Sequence, residues 1–476
     1  MSTSGAIFLI LALLASLCLR LRQDYIKGLC YAVALLVCLP TYLRIEMPNG
    51  LPALTIHRLI LIVLIAIWVS HPEHRQNRQG IPLLGLFAFW AGANSLSLIF
   101  THVEFTSSLK SYLDFVFETF LFYLVVSTSV RNPQDGLRIL RAVGVGITIV
   151  ALLAVIEKYT KFNPVTEYLR VDTEEEGTPR GGVISTFPHR ILLGTGMAMG
   201  WPVVLALVLR GGAESVWHRR CLWISIAALL SACYFSTSRG PWLATALAGL
   251  VLVFLGSPNI RKKILLVGVL AGFTLLVKPG VLETLSDMVK ATADADSMKG
   301  GTFLYRLELW KIAWTEVSKS PVRLLLGYGQ GAGRSMDLEW QFSYRDYERP
   351  IQSWDNQFAY DLFQSGVLGL LASLLLYGNA LSVTYGIWKK AILPDRDVLA
   401  CLLASTLALV FMRTNVLIFA KQLNFMFWSL MTVGIALGRP STHPEDSFAP
   451  TDHRQTDRDP ATDECEVAEE VPPLSP

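Results

Sequence analysis

The sequence predicts an all-α polytopic membrane protein with about 12–13 transmembrane helices and one large extracytoplasmic loop. Of its 476 residues, 52% are hydrophobic and only 17% are charged, whereas soluble domains carry about 25% charged residues. The apolar residues fall in repeated blocks, which is typical of a chain that crosses a bilayer many times. The interval 281–355 is the longest one without such a block, and it combines charge with Trp, Tyr and Gly.

Thirteen apolar segments follow one another along the chain, and ten of them precede the large loop. Several are shorter than the ~20 residues that span a bilayer comfortably. The pattern therefore leaves the segment ends open, and it leaves the number of segments open by one. The first segment lacks a basic flank and a small-residue cleavage site, so we expect a retained helix there. The segments are residues 4–19, 28–43, 54–70, 81–101, 113–129, 139–157, 191–209, 221–236, 241–256, 262–280, 365–387, 398–417 and 423–438.

The Lys and Arg residues of the short connectors predict which side of the membrane each connector faces. Alternate connectors are basic, and those between them are poor in Lys and Arg or balanced by acids, as in 158–190. Because basic connectors face the cytoplasm, the 281–355 loop and the N-terminus are predicted outside and the C-terminus inside. The basic connectors contain Arg20, Arg22 and Lys27; Arg75 and Arg78; Arg131, Arg138 and Arg141; Arg210, Arg219 and Arg220; Arg261, Lys262 and Lys263; and Lys389, Lys390 and Arg396.

Four regions follow from this pattern. Residues 1–280 are predicted to form helices 1–10, 281–355 the large loop, 356–438 the last three helices and 439–476 a tail. The tail is rich in Pro, Asp and Glu and has few large apolar residues, so we expect it to be a disordered acidic cytoplasmic segment without a catalytic role. The seven cysteines have no metal-ligand or disulfide spacing. We expect no metal, no cofactor and no nucleic-acid partner.

Within the loop, apolar residues at three- and four-residue steps predict a helix over 303–318 that ends before Pro321. The glycines of LGYGQGAG have a spacing similar to that of phosphate-binding loops, but no strand precedes them. We expect instead a turn that lets backbone pass close to other elements. The apolar stripe of the helix, which is expected to rest on the membrane surface, consists of Leu304, Leu307, Trp310 or Lys311, Trp314 and Val317.

Two arginines are candidates for binding an anion. Arg239 stands in FSTSRGPWLA, at the predicted outer end of two apolar segments, where an arginine is costly unless it is paired or functional. Arg306 stands in TFLYRLELW on the loop helix. Guanidinium groups bind phosphate oxygens in a planar, bidentate manner that lysine does not match. The alternatives are that Arg239 reaches to lipid phosphates and that Arg306 forms a surface pair with Glu308 or another acid.

Two further motifs carry titratable side chains. His189 and Arg190, in GGVISTFPHRILLGTG, lie at the predicted outer end of the seventh segment, where the histidine is either a proton carrier or a capping or interfacial residue. Asp355 and Asn356 follow Trp354, where the chain returns to the membrane. Asp355 is a candidate general base if it lies within hydrogen-bond reach of an acceptor hydroxyl. The alternative is that it caps the following helix.

Five motifs keep a fixed order over residues 180–435. STFPHRILLGTG comes first, and TSRGPWLA follows at the predicted outer end of a helix pair. The large loop carries YRLELW and SPVRLLLGYGQG, and DNQFAYDLFQSGVLGLL leads into the last three helices. In this order they resemble the bacterial O-antigen ligase and O-antigen polymerase group of membrane glycosyltransferases. The N-terminal helices fit that group only by hydropathy.

The resemblance implies a GT-C-like fold in the bacterial inner membrane and an undecaprenyl-pyrophosphate-linked glycan as donor. The glycan passes to a lipid A core sugar in the ligases and to another lipid-linked repeat in the polymerases, and the reaction needs no metal. Chain-length regulators or export proteins are expected as protein partners. By position, the resemblance implies that Arg239, Arg306 and Arg190 bind the pyrophosphate, that Asp355 and His189 are catalytic, and that Asn356 and Trp354 lie on the acceptor side.

One departure from the group guides the choice between its two activities. Ligases usually carry His-Asn where this chain has Asp355 and Asn356. Aspartate is a weaker base, since its reference pKa is near 4, and members with aspartate resemble exopolysaccharide polymerases. We therefore predict a polysaccharide polymerase, with an O-antigen ligase as the alternative. A lipid-linked oligosaccharide flippase and an assembly partner without activity are the alternatives of other classes.

Overall fold

The described part of the chain is almost entirely α-helical, as the sequence predicts. Residues Met1–Arg439 form one compact unit. The predicted acidic tail, apart from Arg439, lies outside the described residues. The computed structural model describes residues 3–41, 43–45, 54–71, 80–169, 182–211, 215–277, 298–336, 338–341, 348–351 and 353–439.

Each of the thirteen predicted apolar segments overlaps a helix, although several segment ends lie outside it. Before the large loop the helices are α1 (Thr3–Gln23), α2 (Tyr25–Cys38), α3 (Ile56–Ser70), α4 (Leu84–Ile99), α5 (Phe105–Phe115), a π-helical turn (Val116–Leu121), α6 (Phe122–Ser129), α7 (Pro133–Thr160), α8 (Pro164–Leu169), α9 (Arg190–Arg210), α10 (Val216–Phe235), α11 (Arg239–Leu255) and α12 (Pro258–Val277). From the loop onward they are α13 (Met298–Val317), α14 (Pro321–Leu326), α15 (Ala332–Ser335), α16 (Gln357–Lys390), α17 (Asp395–Arg413) and α18 (Lys421–Leu437).

Strands are confined, among the described residues, to two short antiparallel pairs. β1 (Arg44–Ile45) pairs with β2 (Leu54–Thr55) before α3. β3 (Glu339–Gln341) pairs with β4 (Glu348–Pro350) in the large loop. Neither pair contributes to the main core.

Three helices of the described chain are long and apolar enough to cross a membrane, namely α7, α9 and α16. Four shorter apolar helices accompany them: α2, α3, α4 and α11. The prediction of an all-α polytopic membrane protein is therefore confirmed. The division into an outer loop, membrane segments and a cytoplasmic tail stays a prediction.

The main core is built around α9. Every residue from Leu192 to Ala206 is buried, as expected for a helix that is apolar on all sides and surrounded by others. It packs against α7, α10, α11 and α17. Small residues allow these contacts: a Cβ atom at Gly194 would come within 2.7 Å of the Pro241 ring of α11. The motif at the start of α9 is thereby fixed against the start of α11.

A second, separate core cluster joins the large loop to α16. Buried α13 residues Leu309, Ile312, Ala313 and Val317 pack with Trp354, Tyr360 and Phe363. Of the stripe predicted from periodicity, Val317 belongs to this cluster, whereas Leu307, Trp310 and Trp314 are exposed by 50%, 37% and 55%. Both faces carry apolar residues, so periodicity alone did not identify the packed one. Contact of the exposed face with a membrane stays a prediction. The loop helix ends at Val317, before Pro321 as predicted, and Pro321 is the first residue of α14.

A kink at Gly366 divides α16 into a short first part and a long second part. Gly366 has φ 63° and ψ −164°, a conformation essentially restricted to glycine. The glycine-rich turn packs on this kink, because a Cβ atom at Gly366 would overlap the carbonyl group of Leu325, and one at Gly327 that of Gln364. The prediction of a turn for close backbone contact is confirmed.

Candidate active site

The chain enters α16 through Trp354, Asp355 and Asn356. Asn356 is buried and caps the helix, since its Oδ1 accepts hydrogen bonds of 3.1 Å from the amides of Phe358 and Ala359. Asparagine is among the preferred residues at this position because its side chain satisfies amides that the helix leaves unpaired. Asp355 is therefore not the cap, and its carboxylate takes part in other contacts.

Asp355 pairs with Arg306 of α13. Arg306 Nη2 lies 3.6 Å from Asp355 Oδ2, and the Ser353 hydroxyl donates to Asp355 Oδ1 at 2.9 Å. The two side chains are 23% and 27% exposed, so a ligand can reach both. Arg306 Nε is buried and has no hydrogen-bond partner among the described residues. The pair is long and accessible, and its guanidinium group retains donor capacity.

The alternative partner considered for Arg306, Glu308, forms an ion pair with Lys311 at 2.8 Å. Arg306 and Glu308 lie two residues apart on α13, and residues with this spacing do not face each other on a helix. The arginine is thus directed toward α16 by the geometry of its own helix.

Trp354 anchors the segment that carries Asp355. It is 2% exposed, and its indole N–H donates to the carbonyl oxygen of Gly333 at 2.9 Å. Its ring stacks on Phe363, with 4.8 Å between the centroids. The hydroxyl of Tyr305, next to Arg306, donates to the Ser353 carbonyl at 2.5 Å. These contacts hold the arginine and the aspartate in register.

A second arginine–aspartate pair, which the sequence analysis missed, joins the last residue of α17 to the second turn of α16. Arg413 Nη2 donates to Asp361 Oδ2 at 3.1 Å, and Arg413 Nη1 donates to the Tyr377 hydroxyl at 3.0 Å. The Ser373 hydroxyl also donates to Asp361 Oδ2, at 2.9 Å, and Gln357 donates to Oδ1 at 2.8 Å. The kink at Gly366 allows Ser373 to reach back to Asp361, twelve residues earlier.

This second pair is buried. Its side chains are only 5% and 15% exposed, and the Arg413 guanidinium carbon lies 4.1 Å from the Tyr377 ring centroid. A charge among apolar helices indicates function or a required partner. That signal was present in the sequence, since Arg413 lies within the apolar segment 398–417.

The predicted motif at 189–190 meets the turn before Arg239. His189 caps α9, and its Nδ1 accepts the amide hydrogen of Ile191 at 3.1 Å. Arg190 Nη1 lies 3.5 Å from the Thr237 hydroxyl. The structure therefore gives His189 the capping role that the sequence left open, and it brings Arg190 to the start of α11.

Arg239 is the first residue of α11. The reversal before it is made by Ser236, Thr237 and Ser238, and Thr237 has φ 53°. From their residue types, Gly240 and Pro241 were predicted to form this reversal; that prediction was wrong, since both lie in the first turn of α11. Proline is tolerated in the first turn of a helix, because its missing N–H would have no partner there.

The C-terminal end of α17 contacts both the start of α11, beside Arg239, and the start of α16, beside Asp355. A Cβ atom at Gly240 would lie 3.2 Å from the Met412 methyl group, so α11 and α17 approach closely beside Arg239. The next residue of α17 is Arg413, which bonds to Asp361. Gln357, at the start of α16, also accepts a hydrogen bond from the amide of Ile418 at 3.0 Å. The described contacts join Arg190 to the Arg239 turn and Arg306 to Asp355, and α17 lies between these groups.

The glycine-rich turn uses its own amides for structure. The amides of Tyr328 and Gly329 donate to the carbonyls of Phe363 and Gln364 at 3.0 and 2.9 Å, and that of Gly331 donates to the Gln364 side chain. These amides are committed to α16 and do not form a phosphate cradle. Burial, with the nearby Glu316 carboxylate, raises the pKa of the Tyr328 phenol, which donates to a backbone carbonyl at 3.0 Å.

A third group of charges lies beside the start of α18. Arg58 Nη2 is 2.5 Å from Asp114 Oδ1, Arg58 Nε is 3.5 Å from Glu118 Oε1, and Lys421 pairs with Glu118. Glu118 is buried within the π-helical turn, and such turns are frequent at functional sites. The sequence analysis also missed this group, although its acids stand inside the apolar segment 113–129.

The arrangement offers cationic groups for an anion and a reachable carboxylate beside one of them. Among the residues that the structure describes, no group of three or more His, Cys, Asp or Glu side chains is placed to hold a metal ion. The described side chains can supply charge stabilisation by arginine and proton transfer by carboxylate or imidazole.

Residues 224–374 match the family model described as O-antigen ligase. No curated protein matches the chain. Members of the matched family are glycosyltransferase-like enzymes, and the family is GT-C-like. Of the predicted site residues, those at 239, 306 and 354–356 lie inside the matched segment, whereas His189 and Arg190 lie before it. The resemblance found in the sequence is thereby confirmed over residues 224–374, which are similar to the O-antigen ligase and polymerase family.

Proposed function

We propose that the protein is a polysaccharide polymerase. It transfers an undecaprenyl-pyrophosphate-linked glycan to the hydroxyl group of an acceptor sugar at the periplasmic face of the inner membrane. The observation that carries the proposal is the accessible Arg306–Asp355 pair at the start of α16, inside the family match. A guanidinium group and a carboxylate side by side offer an anion site and a proton acceptor to one substrate complex.

The leaving group accounts for the arginines. When the bond between the anomeric carbon and the pyrophosphate oxygen breaks, the electron pair stays on the pyrophosphate and its negative charge grows. Donors already oriented toward that charge lower the barrier most. Arg306 has a long contact to Asp355 and an unpartnered Nε among the described residues, so it can turn its donors to a diphosphate. Arg239 and Arg190 are proposed to bind the same group from the start of α11.

Asp355 is the proposed proton acceptor. The oxygen of the acceptor hydroxyl attacks the anomeric carbon, and the hydroxyl proton passes to the Asp355 carboxylate. Binding of the diphosphate to Arg306 draws the guanidinium group away and leaves the carboxylate less firmly paired. Trp354 and Asn356 fix the segment on the acceptor side. His189 is the candidate second proton carrier. While its Nδ1 accepts the Ile191 amide hydrogen, the ring hydrogen is on Nε2, so His189 can take up a proton only when Nδ1 releases this cap.

Aspartate at position 355 favours polymerase over ligase. The ligases to which the sequence is similar usually have histidine there, and the members with aspartate resemble polymerases of exopolysaccharides. The family description, O-antigen ligase, favours the second candidate, transfer to lipid A core. Both candidates use the same donor and the same leaving group.

Removal of the arginines tests the pyrophosphate site. With the purified full-length protein and a lipid-pyrophosphate-linked repeat, we expect Arg306→Ala and Arg239→Ala each to lower kcat by about 10²–10³-fold. Arg334→Ala removes an exposed arginine of the same loop and is the matched control, which is expected to remain active. Full elongation by both site variants would contradict the proposal.

Substitution of the carboxylate tests the proton acceptor. Asp355→Asn keeps the shape of the side chain and removes the basic oxygen, so we expect kcat to fall by about 10²–10⁴-fold. Asp355→Glu is expected to recover part of the rate. Equal activity of Asp355→Asn and the natural protein would remove Asp355 from the mechanism and leave the arginine site untouched.

The length profile of the surface polysaccharide separates the remaining activities. In a strain without the protein, loss of long chains with single repeats still attached to lipid A core indicates a polymerase. Long chains left on the undecaprenyl carrier indicate a ligase. Accumulation of a precursor that faces the cytoplasm indicates a flippase, and a normal profile would contradict all three.

A further inference from the structure

A groove of about 260 Å³ lies between α7, α9 and α10, near the opposite end of α9 from His189 and Arg190. Arg141 is near the start of α7, Arg210 ends α9, and His218 is near the start of α10. The Lys and Arg pattern predicts that these three helix ends face the cytoplasm. The groove is therefore separate from the candidate active site.

One end of the groove is cationic. Arg141, Arg210 and His218 line it together. Arg210 also pairs with Asp395 at the start of α17, which holds the guanidinium group in place. Two arginines and a histidine therefore meet at this end of the groove, where their N–H groups can donate to an anion. Arginines at the end of transmembrane helices bind phosphate groups in a bidentate manner.

The remainder of the groove is apolar and opens sideways. Its wall includes Val145 and Ile149 of α7, which are 55% and 43% exposed. Leu207 of α9 lies opposite, and the absence of a side chain at Gly144 brings the two helices together, since a Cβ atom there would be 2.8 Å from Leu207 Cδ1. The exposed apolar surface of a membrane helix contacts lipid chains.

The groove thus changes from cationic to apolar along the helix axis. One leaflet of a bilayer changes in the same way, from its charged headgroups to its apolar acyl chains. Its volume is below the ~300–1,000 Å³ of pockets that enclose a whole small molecule. A ligand that lies along the helices with part of its surface in the bilayer fits these features better than an enclosed solute.

We propose that this groove binds an acidic phospholipid of the cytoplasmic leaflet. Its phosphate group contacts the end formed by Arg141, Arg210 and His218, and one acyl chain lies along Val145, Ile149 and Leu207. The inference is independent of the reaction at the other end of α9, because it uses none of the residues proposed to bind the glycan donor.

Native mass spectrometry of the full-length protein tests the proposal. We expect phosphatidylglycerol to be retained several-fold better than phosphatidylcholine with the same acyl chains. The double variant Arg141→Ser with His218→Ser is expected to bring the two retentions close to equality. The control, Lys262→Ser with Lys263→Ser, removes two exposed cations from the same predicted side outside the groove and is expected to keep the preference.

A second variant tests the apolar part without changing charge. Thr148 lines the groove, and Thr148→Phe is expected to fill it and to lower phosphatidylglycerol retention. Equal retention of the two lipids by the natural protein would overturn the proposal, as would equal losses in the groove and control variants. If excess inorganic phosphate displaced the bound lipid while Thr148→Phe had no effect, the site would be one for free phosphate, and the lipid proposal would be wrong.

Discussion

Two arginine–aspartate pairs lie at the start of α16, and their aspartates are six residues apart in the sequence. Arg306 and Asp355 are 3.6 Å apart and about one quarter exposed. Arg413 and Asp361 are 3.1 Å apart and almost completely buried. The first pair has one additional hydrogen bond, from Ser353, whereas Ser373, Gln357 and Tyr377 all bond to the second.

The difference in exposure and hydrogen bonding indicates that the first pair contacts substrate and that the second pair has a structural role. A long, accessible ion pair contributes little to stability, and an anion can compete for its arginine. A buried pair with further hydrogen bonds is different, since removal of one partner leaves an uncompensated charge among apolar groups. We therefore expect the Arg306–Asp355 pair to act on substrates and the Arg413–Asp361 pair to position the start of α16.

Arg413→Ala is expected to have the largest effect on stability. It leaves the Asp361 carboxylate buried without its cation, which costs roughly 3–5 kcal/mol. Thermal unfolding of the purified protein in detergent, followed by circular dichroism, measures the loss. The double variant Arg413→Gln with Asp361→Asn removes both charges and is expected to recover much of the stability. A small loss in the single variant would contradict the positioning role.

Gly366→Ala is expected to have the next largest effect. Residues other than glycine adopt this φ and ψ at a cost of roughly 1–3 kcal/mol, and the new methyl group would also overlap the Leu325 carbonyl. Because the kink brings Ser373 to Asp361, the variant should also loosen the buried pair. Gly378→Ala, in the same helix with open space around it, is the control and is expected to unfold as the natural protein does. Equal melting temperatures for the two variants would show that the kink is not required.

The sequence predicted the helices well because their signal is local. Each of the thirteen apolar runs overlaps a helix, and apolar periodicity predicted the helix over 303–318 within the loop. It did not identify the buried face of α13, because Leu309 and Ile312 on one side and Leu307 and Trp310 on the other are equally apolar. Which face packs depends on α16, a distant part of the chain.

The sequence identified individual residues of the candidate site but not which of them pair with each other. Arg306 and Asp355 were each identified from charge and position, but their contact joins residues 49 positions apart. Arg413 lies inside the apolar segment 398–417, and the rule that a charge at membrane depth needs a partner indicates it. Asp361 lies just before the segment 365–387, so the sequence carried no such signal for it and did not indicate their pairing.

Arg306→Ala has the smallest expected effect on stability, and this makes it the most informative comparison. The pair is partly exposed and its contact is long, so the loss is about 0–1 kcal/mol. The melting temperature should then hardly change. The kcat of glycan transfer should fall by about 10²–10³-fold, because the arginine no longer stabilises the pyrophosphate leaving group. Arg413→Ala should instead lower both quantities together.

The two measurements decide whether the pairs differ in kind. If Arg306→Ala unfolds as readily as Arg413→Ala, the accessible pair is structural and its lost activity says nothing about substrate binding. If it keeps its stability and its transfer rate falls, an anion in the reaction must use the guanidinium group, because the folded protein does not depend on it. Arg306→Lys sharpens this result: lysine keeps the charge without the planar fork, so incomplete recovery of the rate would indicate that two phosphate oxygens are bound at once.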